Sequence, residues 1–372
     1  MKVLILADYL GDGFKSMDRY AEILFLGLKN QNLEVKLIRP REFFPELRGK
    51  LPRALSKALG YISKYCIFPW ELLEAIRWAD LVHICDQYNA VYVPLLGNKA
   101  HLVSCHDLLS VRAAMGEETY CYPSFSGKIL QRLILFGLKS ASAIACVSEF
   151  TLQDLKRVLG SDTHKKLKVI NNCLDPSFLP ISGTEAKLLL EGLISLSRPY
   201  VLVVGSDLPR KNRTAALQIF SKIKDEFEGE LVFAGKALNP EQLRLAEQLG
   251  ILERVKVVLS PSDRTLSALY SLAHCLLFPS LSEGFGWPII EAQFFACPVV
   301  CSDCPPFAEV GGGFVLSYSL KEPEQFAAAI LELKESRFRR ELTAGGRLNA
   351  ERFQFQEMLS SFRNFYEELL RP

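Results

Sequence analysis

Residues 278–291 run Phe278-Pro-Ser-Leu-Ser-Glu-Gly-Phe-Gly-Trp-Pro-Ile-Ile-Glu291, and the architecture can be worked out from them. The pattern predicts a strand that ends at Phe278, a loop with two glycines, and a helix that begins near Trp287 with Pro288 in its first turn. Free backbone N–H groups at a helix start, approached through glycines, form an anion site. The stretch therefore predicts an α/β domain with room for a diphosphate.

Two carboxylates frame this stretch, Glu283 in the loop and Glu291 in the first turns of the helix. Both can face one pocket while they contact different parts of a ligand. Carboxylates suit the neighbouring hydroxyls of a sugar because each accepts two hydrogen bonds. The alternative is a solvated Glu283 and a Glu291 that only favours the helix dipole. That alternative does not explain the paired glycines and the proline between them.

Strands alternate with helical segments in both halves of the chain, and the pattern restarts at Tyr200. Residues 174–198 hold the proline and glycine signals of a linker. We therefore predict an α/β protein with two Rossmann-like, doubly wound parallel-sheet domains that face a central cleft. The predicted ranges are 1–182 and 183–354, followed by a C-terminal helix in 355–372. The predicted strands are 2–7, 35–38, 81–84, 101–105, 143–147 and 167–170, then 201–204, 231–234, 255–258, 275–278 and 298–301.

Composition narrows the class of protein. The chain has 372 residues, which suits two domains, and a net charge of +2, which demands no nucleic-acid partner. No segment resembles a signal peptide or an apolar membrane span. Cys297, Cys301 and Cys304 have a spacing used by some iron–sulfur enzymes, but the strand pattern favours core packing. With cysteines mostly in apolar runs and no Asp-x-Asp, we expect a cytoplasmic protein that needs no metal.

The segment from Glu283 to Glu291 resembles the E-x7-E signature of the retaining glycosyltransferase family 4, and 298–312 resembles its continuation. The resemblance implies the GT-B fold and a nucleoside-diphosphate sugar as donor. It implies that Glu283 contacts hydroxyls of the transferred sugar and that Glu291 contacts the ribose. The backbone that approaches the sugar and phosphates would be that of Gly284, Phe285 and Gly286.

A second match to the family is the loop Gly205-Ser-Asp-Leu-Pro-Arg210-Lys211. Arg210 and Lys211 can neutralise the charge that grows on the diphosphate as the glycosidic bond breaks. Similar loops in the family place a lysine on the phosphates, here Lys211. Many members carry arginine after the glycine, where this chain has Ser206, so one phosphate contact is either missing or supplied by Arg210. The alternative is an exposed basic helix start.

The first half holds the remaining candidates. His106-Asp107 resembles the family's turn in which the histidine lies near the donor sugar, so His106 is assigned a supporting polar role. Gly11 and Gly13 are candidates for a loop that closes over donor or acceptor. The resemblance assigns the acceptor to 1–182 and the donor to 183–354, and it packs 355–372 back on the first domain.

The expected reaction is a metal-independent hexosyl transfer in polysaccharide biosynthesis, with retention by front-face displacement, to a glycan, lipid-linked or small-molecule acceptor. The alternatives are a nucleotide-sugar epimerase on the same fold and a non-catalytic sugar-nucleotide binding subunit, which Ser206 favours. Within 48–64, basic residues alternate with aliphatic ones. This segment is either a packed surface helix, which we favour, or a contact with the inner face of the membrane.

Overall fold

The computed structural model describes residues 1–44, 50–160 and 166–371, without the side chains of Arg53 and Ser336. Two compact units are present. Unit 1 contains 1–118, 122–171 and 358–372, and unit 2 contains 119–121 and 172–357. The predicted domain ranges and their roles stay predictions.

Unit 1 is built on a six-stranded parallel sheet in the described part of the chain, with strand order β2-β1-β3-β4-β5-β6. The central strands are buried and largely apolar because helices cover both faces of a parallel sheet. The strands are β1 Lys2–Leu6, β2 Glu34–Ile38, β3 Leu81–Ile84, β4 Ala100–Cys105, β5 Ala143–Cys146 and β6 Lys166–Val169. The helices are α1 Lys15–Asn30, α2 Arg53–Ile62, α3 Phe68–Trp78, α4 Leu109–Ala114, α5 Phe125–Ser140 and α6 Glu149–Leu159.

Unit 2 repeats the plan with strand order β12-β11-β10-β7-β8-β9, again all parallel within the described residues. The strands are β7 Tyr200–Gly205, β8 Glu230–Gly235, β9 Val255–Leu259, β10 Cys275–Phe278, β11 Val299–Ser302 and β12 Leu316–Tyr318. The helices are α7 Gly183–Leu190, α8 Arg213–Lys222, α9 Pro240–Gln248, α10 Asp263–Leu272, α11 Trp287–Phe294, α12 Pro305–Gly311, α13 Pro323–Glu332 and α14 Ser336–Ala350. The last helix, α15 Phe355–Leu370, belongs to unit 1 from Met358 onward.

The predicted fold class is confirmed by the two parallel sheets, and one strand was missed. All eleven predicted strands occur within a residue or two of their expected bounds, and α11 begins at Trp287 as expected. Strand β12 was not predicted. It has three residues and lies at the sheet edge beside β11, so it lacks the long apolar run of a central strand.

Helix α15 completes the core of unit 1 from Met358 onward. Tyr366 Oη lies 2.6 Å from Nδ1 of His83, whose Nε2 lies 2.7 Å from Ser104 Oγ. Tyr20 Oη lies 2.8 Å from the same Ser104 oxygen. This buried chain of polar groups ties α15 to the middle of the sheet. Across residues 1–44, 50–160 and 166–371, no helix combines the length and the apolar character that crossing a membrane requires.

Candidate active site

In unit 2 the strand order reverses between β7 and β10, which pair directly. Connections leave two such strands toward opposite faces of the sheet, and a crevice opens beyond their carboxyl ends. Gly205 ends β7 and Phe278 ends β10. The loops that follow these two strands are the ones that carry the predicted donor residues.

Glu283 lies between two cations. Its Oε2 is 2.5 Å from Nη1 of Arg210, and its Oε1 is 2.5 Å from Nζ of Lys211. The carboxylate is buried, with 6% of the residue exposed. Arg210 also donates to the carbonyl of Ser282 at 3.1 Å, and its own carbonyl accepts from the N–H of Leu281 at 2.7 Å. The loops after β7 and β10 are therefore joined by both side chains and backbone.

The cluster has more positive than negative charge. Burial by itself would raise the pKa of Glu283, but Lys211 and Arg210 outweigh it and hold that pKa below its usual value. Burial lowers the pKa of Lys211, and the neighbouring Arg210 acts in the same direction against the attraction of Glu283. One carboxylate shared by two cations leaves one positive charge over among these three residues, before the more distant carboxylate of Glu291 is counted. A bound anion would compensate this positive charge.

The start of α11 adds neutral donors beside this charge. Gly286, at the N-cap, has φ 104° and offers no side-chain cap to the first N–H groups of the helix. A Cβ on Gly286 would lie 2.9 Å from the ring of Phe307, so the loop also lacks room for a side chain there. Trp287 Nε1 donates to the carbonyl of Cys173 at 3.0 Å and fixes the first turn. The helix start therefore has the properties of an anion site.

Glu291 occupies a separate position one turn into α11. It is 7% exposed, and its Oε2 accepts a hydrogen bond from Tyr270 Oη on α10 at 2.7 Å. Its charge raises the pKa of Lys211, so it is electrostatically coupled to the first cluster. The two glutamates of the signature thus have different partners, which fits two different parts of a ligand.

Arg213 supports the loop after β7, and the sequence did not predict this role. Its Nη2 donates to the carbonyl of Gly205 at 3.1 Å, and its Nη1 donates to the carbonyls of Lys236 at 2.9 Å and Ala237 at 3.1 Å. The residue is buried, and its guanidinium lies 5.3 Å from the ring centroid of Phe233. It links the turns that follow β7 and β8. Its position directly after Asn212, at the first turn of α8, is the signal that could have indicated this role.

His106 belongs to unit 1, where it follows β4 and is 6% exposed. Its Nε2 lies 2.9 Å from the carbonyl oxygen of Cys85, so this nitrogen carries the hydrogen. Burial lowers the pKa of His106 to about 4, which keeps the ring neutral at neutral pH. Its Nδ1 is buried without a hydrogen-bond partner. His106 can therefore accept a hydrogen bond but is a poor acid.

Unit 1 also holds a buried carboxyl pair that the sequence analysis did not identify. Asp8 follows β1 and Asp86 follows β3, the strands between which the strand order of this sheet reverses. Asn89 Nδ2 donates to Asp8 Oδ1 at 2.5 Å, and the N–H of Tyr88 donates to Asp86 Oδ1 at 2.8 Å. Burial raises the pKa of Asp8 to about 6 and that of Asp86 well above its usual value. An acidic residue two positions after the end of a strand was the available signal.

The predicted glycine loop of unit 1 is a 3₁₀ turn from Leu10 to Asp12 that contains Gly11 and ends at Gly13. Gly13 has φ 73°. A Cβ on Gly11 would meet the ring of Tyr9 at 2.4 Å, so the turn is packed closely on that ring. A role in closing over a ligand stays a prediction.

The structure brings three predicted residues into direct contact: Arg210, Lys211 and Glu283. Glu291 lies beside them with its own partner. Gly205 and Ser206 lie at the end of β7, and Gly284 and Phe285 are buried in the loop before α11. Gly11, Gly13 and His106 lie in unit 1. The roles of all these residues toward a ligand remain predictions.

Two family models match the chain and together account for most of it. Residues 17–178 match the model described as Glycosyltransferase Family 4, and residues 191–348 match the one described as Glycosyl transferases group 1. The chain belongs to the glycosyltransferases that these two models describe. The predicted family and enzyme class are thus confirmed.

Relatives of the glycosyltransferase include O-antigen chain mannosyltransferase B of Escherichia coli, which is 26% identical over 253 residues, or 67% of this chain and 66% of the relative. The GDP-mannose:cellobiosyl-diphosphopolyprenol alpha-mannosyltransferase of Xanthomonas oryzae is 28% identical over 278 residues, or 70% and 67% of the two chains. Among solved structures, the sucrose-phosphate synthase of Thermosynechococcus elongatus has a TM-score of 0.78 at 18% identity and matches over 99% of both chains. That likeness supports the GT-B fold alone.

Proposed function

We propose that this glycosyltransferase moves a mannosyl group from GDP-mannose to a hydroxyl of a glycan or lipid-linked saccharide, with retention of configuration and without a metal ion. Two relatives with matches over about two thirds of their length are named as mannosyltransferases, and one of these names specifies GDP-mannose and a diphosphopolyprenol acceptor. The proposal extends those names to this chain.

The observation that carries the proposal is the shared carboxylate of Glu283. A diphosphate beside Arg210 and Lys211 would compensate the extra positive charge of this buried cluster. Cations held in place before the reaction stabilise the charge that develops on the leaving group, and they need no reorganisation to do so. They would supply the neutralisation that a divalent ion supplies in other transferases.

The proposed chemistry breaks the bond between the anomeric carbon and the diphosphate oxygen, and forms a bond from that carbon to the acceptor oxygen on the same face. The acceptor proton passes to the departing phosphate oxygen, so no side-chain base is required. Glu283 stays ionised because Lys211 and Arg210 lower its pKa. It therefore orients sugar hydroxyls as an acceptor and does not donate a proton.

The first test is nucleotide binding in the presence of EDTA, followed through thermal unfolding. GDP at 100 times its dissociation constant should stabilise the folded protein by about 2.7 kcal/mol, while UDP and ADP at the same concentration stabilise it less. Lys211→Ala should abolish the GDP effect. Lys222→Ala is the matched control, because this lysine of the same unit pairs at the surface with Glu324 at 2.7 Å.

Turnover separates the proposal from its alternatives. With GDP-mannose and a saccharide acceptor, the wild type should release GDP, and Lys211→Ala should lower kcat/KM by about 100-fold or more. GDP binding without turnover on any acceptor would favour the non-catalytic subunit. Conversion of the donor sugar without GDP release would favour an epimerase. No stabilisation by any of the three nucleotides would overturn the donor site itself.

A further inference from the structure

Helix α5 packs on unit 1 through one well-defined face. Its buried residues include Ile134, Gly137 and Leu138. A Cβ on Gly137 would lie 1.9 Å from the carbonyl oxygen of Ala90, so the helix backbone lies directly on the 3₁₀ segment Gln87–Leu96. This close approach fixes the rotation of α5 about its own axis. The opposite face must therefore point to water.

That outward face is apolar. Four of its side chains are largely exposed: Phe125 at 82%, Ile129 at 47%, Leu133 at 54% and Phe136 at 59%. At about 100° per residue, these positions fall in one stripe roughly 80° wide on the helix surface. Tyr122, just before the helix, is 79% exposed. A contiguous apolar surface of this kind on a folded protein marks an interaction site.

A row of cations borders the stripe. Lys128, Arg132 and Lys139 are all exposed, and at about 100° per residue they fall within roughly 40° of one another, beside the apolar residues. Helix α5 contains no Asp or Glu. The outer surface of the helix therefore combines an apolar stripe with charge of one sign only.

We propose that α5 is a docking helix for an anionic lipid bilayer, on which it lies in the plane of the surface. The apolar stripe would enter the boundary between headgroups and acyl chains, and the three cations would contact lipid phosphates. A second copy of this chain fits less well, because its own α5 contains no Asp or Glu that could pair with these cations. This surface does not depend on the identity of the donor.

The segment 48–64, which the sequence suggested as a membrane contact, is a weaker candidate. Lys64 is held by Asp12 at 2.9 Å, and its side chain is only 13% exposed, so it is committed within unit 1. Leu55 and Ile62 are 48% and 45% exposed. Arg48 lies outside the described residues. Helix α5 exposes more apolar surface and has a clear row of exposed cations.

The test is co-sedimentation of the full chain with phosphatidylcholine vesicles that do or do not contain 30% phosphatidylglycerol. The wild type should sediment with the anionic vesicles and should not bind the neutral ones. Phe125→Ser/Phe136→Ser should bind at least tenfold more weakly. Lys128→Gln/Arg132→Gln should lower the affinity for anionic vesicles by about 25-fold, at about fivefold per cation. Binding of the wild type should weaken as the salt concentration rises. Leu188→Ser/Leu348→Ser is the control, since these leucines of unit 2 are 67% and 65% exposed.

Thermal unfolding of each variant shows whether it folds, and all substitutions are at exposed positions. Absence of wild-type binding to anionic vesicles would overturn the proposal, as would equal binding by all variants. Light scattering distinguishes the other occupant of this face. If Phe125→Ser/Phe136→Ser dissociates a dimer and leaves vesicle binding unchanged, α5 binds a second copy and the membrane proposal is wrong. Neither readout uses nucleotide binding or turnover.

Discussion

A few contacts with named side chains set the chemistry of the two signature glutamates. The cations beside Glu283 keep it ionised, whereas Oε2 of the buried Glu291 accepts a hydrogen bond from the hydroxyl of Tyr270. Tyr270 carries no recognisable signal in the sequence, since it lies in the apolar pattern of α10. Its role follows only from the packing of α10 beside α11.

Tyr270→Phe should weaken GDP binding by about tenfold and lower the free energy of unfolding by about 1–2 kcal/mol, because the buried carboxylate of Glu291 loses this hydrogen bond. Titration of GDP against thermal unfolding measures both effects. Tyr200→Phe is the matched control, since its buried hydroxyl donates to the carbonyl of Leu269 at 2.6 Å. It should lose stability and keep its GDP affinity. Equal weakening of GDP binding in both variants would contradict a specific role for Tyr270.

At the scale of elements, the turn into α11 depends on one glycine. Gly286 has φ 104°, a conformation that side chains rarely adopt, and the ring of Phe307 fills the space where a Cβ would lie. The turn places the first N–H groups of α11 beside the cations of the loop after β7. Its shape therefore decides both local stability and the anion site.

Gly286→Ala should lower the free energy of unfolding by about 2–4 kcal/mol, because backbone strain adds to a steric clash. GDP affinity should fall as well. Gly192→Ala isolates the first contribution, since Gly192 has φ 74° and nothing within 4 Å of its Cβ position. Its cost should be about 1 kcal/mol, with GDP affinity unchanged. Urea unfolding of the two variants makes the comparison, and equal costs would exclude the clash with Phe307.

For the whole molecule, the carboxyl pair of unit 1 makes stability depend on pH. The pKa of Asp8 is raised by burial to about 6, and that of Asp86 is raised too, so the folded state holds protons that the unfolded state releases. The stability that these bound protons contribute is present in full below about pH 4. It is lost as pH rises through about 6 for Asp8 and beyond that for Asp86.

Asp86→Asn should remove the part of this dependence that Asp86 contributes, while the part that comes from the burial of Asp8 stays. The variant should be more stable than the wild type at pH 7.5 by on the order of 2 kcal/mol, and the difference should shrink toward pH 4.5. Unfolding is followed through the fluorescence of Trp70 and Trp78 in unit 1. The only other tryptophan of the sequence, Trp287, is replaced by Phe in both the wild type and the Asp86→Asn variant. Asp207→Asn, at an exposed position, should follow the wild type at every pH. A difference that does not change with pH would show that burial does not shift these carboxyls.

The sequence alone determined the two α/β halves, eleven of the twelve described strands and the loop that carries Glu283 and Glu291. Local periodicity, glycines and a helix-start proline specify those features over short distances. Only the tertiary structure showed that Arg210 and Lys211 both contact Glu283, since the loops concerned are some seventy residues apart and meet through the pairing of β7 with β10. The same holds for Tyr270, Arg213 and the Asp8–Asp86 pair. Their partners are set by the strand order, which a linear pattern does not encode.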